Sequence, residues 1–442
     1  MRLKASSVPG ARQQGQALVL GMLLAGAAIV VFVRYFATGQ VVAAKARQLH
    51  ALDAAAYSGA LTQARGMNFM AYINRAQIGH QVAMAHLVTL GSWASLGGTE
   101  ARQLSSGNPP AHLISMMFGA DHGAAYLSAK KAAGFDARAS TQGELAQAYV
   151  DHDETVRSVL TTVQSSVASG LPQARAAAMQ AVLARNYPDF PVGRDFDLTI
   201  DHDNWPGYVQ HYSGRQQLRS FVEDIAQMYG FLSPRNHTAS NPWSVDVRCP
   251  QLRHELRRRG RTELDGSGRW QSIDTQSYHA LRSNKWIGCY YREYSMGWGW
   301  IPSATRPVMT DSHVDEAPAD FSAQDFWRWV KEATDWDIVS GSDNPLANSR
   351  ASANRQRWQG GGLPDYIDIN QQSSDTALSF GVTLRHPGPQ GLTITTQSAA
   401  ETFFDRPHAR SDGTREHANL FHPYWQARLA AHVDLPDRSA MR

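Results

Sequence analysis

Cysteine is nearly missing from this chain. Only Cys249 and Cys289 occur in 442 residues, which excludes a zinc site built from cysteines alone and any Cys-x-x-Cys redox pair. The Gly-x-Ser-x-Gly elbow, the glycine-rich phosphate loop and the His-Glu-x-x-His metal helix are absent as well. Charge of one sign is equally scarce. The 42 basic and 39 acidic side chains leave a net charge of +3 spread along the chain, so the electrostatic footprint of a nucleic-acid partner is lacking. The densest basic stretch, "RHELRRRGR" from Arg253 to Arg261, reads as a solvated helix face or strand edge. What the chain does have is 43% hydrophobic residues, enough to build a core in two or three structural units.

Much of that apolar content is concentrated near the start. Ala17 to Val33 carry no charged or hydrogen-bonding side chain and extend about 25 Å as a helix, enough to enter a hydrocarbon core of about 30 Å. Tyr35 and Phe36 follow as an interfacial aromatic pair. A cleaved secretory signal would show a shorter apolar run and a small-residue cleavage site. Here the helical pattern continues instead, with Val41, Val42, Leu49, Leu52 and Leu61 set among Lys45, Arg47, Asp53 and Arg65. The sequence therefore predicts a leader over 1–15, a transmembrane helix over 16–36 and a helical stalk or bundle over 37–188. Ala17, Gly21 and Ala25 recur every four residues and form a flat strip on which a second membrane helix can pack. Arg2, Lys4 and Arg12 balance Arg34, Lys45 and Arg47. The amino-terminal amine and the long following domain then place the leader in the cytoplasm and the bulk outside.

Gly97 and Gly98 are expected to end this helix, and "SSGNPP" from Ser105 to Pro110 to form a loop. Three more helical runs are expected, over 111–133, 140–169 and 172–185, with Ser140 as a cap and Pro172 in a first turn. Past residue 188 prolines, tryptophans and β-branched alternation take over, marking an α+β domain with mainly antiparallel pairing over 189–442. "RGRTELDGSGRWQSIDTQSYHA" reads as a hairpin turning at Asp265 to Gly268. Further strands are expected in "KWIGCYYREYSMGWGW", "LPDYIDI", "ALSFGVTLRHP" and "GLTITTQ", and helices around 215–229 and 322–334. "NPLANSRASANRQRWQGGG" is expected to be a mobile loop. "GWGW" at Gly297 to Trp300 suits a bulge or a close backbone approach.

Candidate chemistry is sparse. His80 and His86 lie six apart, about 240° around a helix, and make poor co-ligands. Asp-His-Asp occurs twice. Asp151, His152 and Asp153 read as a solvated helix face, whereas Asp201 and Asp203 on a strand share a side and offer oxygen ligands to a cation. The aromatic group Trp286, Tyr290, Tyr291, Tyr294, Trp298 and Trp300 splits between core packing and a binding surface. A bridge between Cys249 and Cys289 would close a loop of about forty residues and contribute roughly 3 to 4 kcal/mol. Two buried free thiols are the other reading, and the compartment decides between them.

The residues "RQQGQALVL" and "LDAAAYSGA" resemble the leader junction and the alanine-rich stretch of the TadE/TadG class of bacterial Flp (Tad) pilus-assembly proteins. The likeness covers residues up to about 95, and "SAAETFFDRP" and "NLFHPYWQARL" are similar to closing segments of larger TadG-like chains. In processed members cleavage follows the glycine matching Gly15, leaving the residue matching Gln16 first, and a glutamate stands fifth in the mature chain. That fifth position is Leu20 here. Without a carboxylate to neutralise the Gln16 amine in lipid, the departure favours an uncleaved accessory protein. The resemblance implies a non-catalytic, single-pass inner-membrane component with its bulk in the periplasm, no cofactor, and the membrane and other pilus-assembly or pilin-like membrane proteins as partners. The alternatives are a minor pilin or adhesin incorporated into the fibre, and a membrane-tethered periplasmic hydrolase using Asp201, Asp203 and nearby histidines.

Overall fold

The computed structural model describes residues 14–187, 197–213, 216–285, 288–303, 357–370, 372 and 377–431. The expected leader up to residue 13, the helix over 322–334 and most of the expected mobile loop lie outside these residues. The fold is α+β. Helix α1 runs from Gln14 to Ser106, followed by α2 (Ala111–Phe118), α3 (Ala120–Ser128), α4 (Glu144–Glu154) and α5 (Thr161–Asn186), with a π-helical turn at Thr155–Leu160 between the last two. Strands β1 (Asp197–Asp203) and β2 (Val209–Tyr212) precede α6 (Gln216–Met228). Then come β3 (His237–Ser240), β4 (Glu255–Leu264), β5 (Trp270–Asn284), β6 (Gly288–Pro302), β7 (Tyr366–Ile369), β8 (Leu378–Pro387), β9 (Thr393–Phe404) and β10 (Trp425–Ala430).

The chain divides into two compact units that interleave in sequence: 1–69, 167–210 and 369–442 in the first, 70–166 and 211–368 in the second. The change from helix to strand after residue 188 does not coincide with this division.

In the first unit an antiparallel sheet of order β1-β8-β9-β10 packs on α1 and α5. Its core joins Ala51, Leu52, Ala55, Ala56 and Ala60 of α1 to Met179 and Leu183 of α5 and to Phe380, Val382 and Leu384 of β8. The alanines recur at helical spacing, so α1 presents a smooth face that the sheet can approach closely. A Cβ at Gly59 would lie 2.9 Å from Met179 and 3.0 Å from Phe380. The "LDAAAYSGA" stretch is thus the packing face of a folded body.

In the second unit a sheet of order β3-β4-β5-β6 packs on the later part of α1. The β4–β5 hairpin turns where the sequence places it: Asp265 Oδ1 accepts from the amides of Ser267 (2.8 Å) and Arg269 (2.9 Å), and Gly268 takes φ +79°. Gly297 and Gly299 face α1, where a Cβ on Gly299 would lie 2.2 Å from the Ser92 carbonyl oxygen. The register shifts between Gln276 and Ser277, leaving Met296 as an extra, fully buried residue on β6. The close approach read from "GWGW" holds, whereas the bulge falls at Met296, one residue before it.

Several expected helix boundaries are corrected. Gly97 and Gly98 do not end α1, which continues to Ser106 and stops at Gly107 with φ +71°. A Cβ on Gly97 would lie 2.8 Å from Ala132, and one on Gly98 2.7 Å from the Asp136 carboxyl, so these glycines admit a neighbouring segment. An interior helical glycine costs only about 1 kcal/mol, which close packing can offset. Gly119, at φ +100°, breaks the run expected over 111–133. Gly143, not Ser140, precedes α4, and Pro172 lies inside α5 instead of opening a helix. Trp358, expected in a mobile loop, is 2% exposed and donates from Nε1 to Ala139 O at 2.9 Å. Gly91 leaves room for its indole, since a Cβ there would be 2.6 Å away.

Candidate functional site

The first functional element is the start of α1. Leu18, Leu23, Val31 and Phe32 are 66%, 67%, 67% and 70% exposed, whereas Leu52, Ala55 and Ala56 on the same helix are fully buried. An apolar side chain in water forgoes about 25 cal/mol per Å² of burial. A continuous sleeve of exposed apolar residues therefore calls for a non-aqueous surrounding. Among the described residues this is the one helix long and apolar enough to cross a membrane. Ala17, Gly21 and Ala25 are exposed on one face, successive members only about 40° apart. A Cβ on Gly21 would meet nothing within 4 Å. Gly15 and Gln16 lie within α1, with side chains outside the described set.

The second Asp-His-Asp triplet is not a shared cation site. Asp201 is the extra residue of a bulge, because Ile200 opposes Val382 while His202 opposes Gly381. Its carboxylate accepts from Thr199 Oγ1 at 3.2 Å and from the Thr383 hydroxyl. Asp203 instead takes both guanidinium ends of Arg175, with Nη1 at 3.0 Å from Oδ1, and accepts from the Trp205 amide at 3.0 Å. Arg175 is 1% exposed and stacks on Phe380 at 4.6 Å from the ring centre. Among the described residues no group of three or more His, Cys, Asp or Glu is placed to hold a metal ion.

The first triplet is more engaged than a solvated face. His152 Nδ1 lies 2.8 Å from His80 Nδ1, and burial, followed by the His152 charge, lowers the His80 pKa. Asp153 pairs with Arg157 at 3.1 Å and accepts from the Gly361 amide at 3.1 Å. Arg157 donates to Gly362 O at 2.6 Å. The cluster clasps the glycine-rich segment after Trp358, and the Asp153–Arg157 spacing of four is the signal that sequence reading missed. His86 turns elsewhere and stacks on Phe231 at 5.0 Å.

Burial also perturbs isolated groups in the second unit. Glu100 is pushed up to about 7 by burial, with Arg258 opposing the shift. His254 is pushed down to about 4 by burial and then by Arg282, and its Nδ1 accepts from the Leu281 amide at 2.9 Å. Cys249 and Cys289 are joined, with Cα atoms 6.1 Å apart. Of the aromatic group, Tyr291 and Trp300 are buried and Tyr294 stacks on Tyr278 at 5.7 Å. Trp286 and the Tyr290 side chain lie outside the described residues. Tyr294 and Trp298 are half-buried.

No known protein family, curated protein or solved structure matches the chain.

Proposed function

We propose that this chain is a non-catalytic, single-pass, inner-membrane-anchored component of a Flp/Tad-type pilus-assembly apparatus, with its folded units in the periplasm. The observation that carries the reading is the continuity of α1, whose exposed apolar start runs without a break into the buried alanine face of a folded unit. One helix anchors and then becomes core. The likeness of "RQQGQALVL" and "LDAAAYSGA" to the TadE/TadG pattern supplies the pilus assignment, and the Cys249–Cys289 bridge suits an oxidising compartment. The strip Ala17, Gly21 and Ala25 is the surface for partner helices.

Membrane fractionation with protease protection, followed by sequencing of the mature amino terminus, tests the proposal. An uncleaved chain in the membrane, protected from outside protease until the outer membrane is opened, is the expected result. A mature chain beginning at Gln16 and recovered in fibres would replace it with the minor-pilin or adhesin alternative. A freely soluble cytosolic chain would end both.

A further inference from the structure

Hydrogen bonds from α1 to the first unit's sheet set the direction of the β8–β9 hairpin. Gln48 Nε2 donates to Leu384 O at 3.0 Å and to Ile394 O at 3.3 Å. Ser398 Oγ donates to Asp53 Oδ1 at 2.6 Å, and Thr402 Oγ1 donates to Ala60 O at 3.0 Å. As α1 leaves its apolar segment, β9 leaves the hairpin tip. The tip, Pro387 to Leu392, therefore lies toward the membrane-spanning end of α1.

The tip has the composition of an interfacial contact. Gln390 and Gly391, at φ +63° and +75°, reverse the chain, and Gly388 N donates to Leu392 O at 2.6 Å. Leu392 is left 51% exposed. Between the tip and α1 lies a pocket of about 460 Å³ lined by Gln40, Arg47, Tyr187, His386, Pro387 and Pro389, among others. Gln40 and Arg47 follow Phe36 by about 6 and 16 Å along the helix axis. Helical side chains lean back toward the amino terminus, and a long arginine stem extends that reach toward the interface. Arg47 is exposed, as is Lys45 nearby, and Arg47 has no ion-pair partner among the described residues.

We propose that the β8–β9 hairpin tip rests on the bilayer surface, with Leu392 among the headgroups and the pocket beside Arg47 and His386 holding the phosphate of an anionic phospholipid. Continuity with the spanning helix and the cationic pocket wall select a lipid surface as the occupant. The inference rests on the reading of α1 as membrane-spanning, and the experiment separates the two.

Full-length protein, unreduced, is placed in nanodiscs with one fluorescent label on Leu392→Cys, Val31→Cys or Thr414→Cys. Position 414 lies in the β9–β10 connection, at the other end of β9. The discs contain phosphatidylcholine with or without phosphatidylglycerol, and nitroxide lipids labelled at the headgroup or deep in the chain. The Leu392→Cys label should be quenched by headgroup nitroxide severalfold more than the Thr414→Cys label, with the excess growing in phosphatidylglycerol. Arg47→Gln should lower the docked-to-free ratio about fivefold, the effect of one cation near an anionic surface. Inorganic phosphate should leave the quenching unchanged; loss of quenching would mean a free-phosphate site and overturn the lipid assignment. If the Val31→Cys label is quenched by deep nitroxide while Leu392→Cys matches Thr414→Cys, the hairpin proposal alone fails. If the Val31→Cys label is not quenched, the spanning reading fails and takes the proposal with it.

Discussion

The side-chain amide of Asn68 pairs with both backbone groups of Trp425: Nδ2 donates to the carbonyl at 2.9 Å, and the Trp425 amide donates to Oδ1 at 2.9 Å. Trp425 opens β10, an edge strand, so the asparagine supplies the pairing that a further strand would otherwise give. Asn68→Ala strands two buried groups and should destabilise the protein by about 2–3 kcal/mol in denaturant unfolding. Asn68→Asp keeps the acceptor but sets a carboxylate oxygen against the Trp425 carbonyl, and should recover little of that loss. A loss below about 0.5 kcal/mol for Asn68→Ala would argue against the paired geometry.

The Arg175–Asp203 pair makes a comparable prediction with a different cause. Asp203→Ala leaves a guanidinium buried against Phe380 without its carboxylate and should cost about 3–5 kcal/mol. Adding Arg175→Met to Asp203→Ala should recover much of that loss, because it removes the stranded charge. Added divalent cations should not alter the wild-type melting temperature through this site. A metal-dependent rise abolished by Asp203→Ala would reinstate the hydrolase alternative.

Glu100 predicts a pH dependence. Its folded pKa, about 7, stands above the reference value of 4.5. Between these values the folded state holds a proton that the unfolded state has released, so this group's contribution is complete below pH 4.5 and fades as pH rises through 7. His254, lowered from 6.5 to about 4, acts in the opposite sense: its contribution is lost as pH falls through that range. The difference in unfolding free energy between wild type and Glu100→Gln should therefore slope between pH 4.5 and 7. A flat difference curve would contradict the shift.

Gly299 packs its backbone on that of α1, and the atoms nearest a new Cβ are the Ser92 carbonyl oxygen at 2.2 Å and the Leu96 nitrogen at 2.8 Å. Neither can swing aside as a side-chain end could. Gly299→Ala should cost about 3 kcal/mol, the upper end of the overpacking range. Gly266→Ala, with nothing within 4 Å, should melt within a degree or two of wild type. Similar effects at the two glycines would show that the helix and strand backbones are not in contact.

The Cys249–Cys289 bridge spans a sequence separation of 40. Peptide mapping without reductant should recover the two cysteines as one linked species. Paired Cys249→Ser and Cys289→Ser substitutions should lower stability by roughly 3–4 kcal/mol by the chain-entropy estimate. Free thiols in protein taken directly from cells would count against an external location.

The apolar start of α1, the antiparallel strands and the β4–β5 turn were legible because each is written in a local period or a short turn signature. The end of α1 was not. Gly97 and Gly98 carry the signature of a helix stop, and only the approach of Ala132 and Asp136 reveals them as places where another segment comes close. Asp203 misled for the same reason. Two carboxylates on one strand look like a cation site until Arg175, distant in sequence, takes one of them and a bulge turns the other aside. Trp358 looked mobile because its flanking residues lack periodicity, yet burial depends on what covers a residue and not on its neighbours in the chain.

From the residue order alone came an apolar rod continuing into alanine-rich helix, and an α+β chain without the motifs of common enzymes, because hydrophobic length, helical spacing and motif grammar are properties of adjacent residues. Tertiary structure decided that the alanine stretch is the core face of a unit shared with strands more than 300 positions later, as the Asp53–Ser398 and Thr402–Ala60 bonds require. It also decided which charges are neutralised and which remain available. Those outcomes depend on contacts between distant segments, which a local pattern does not encode.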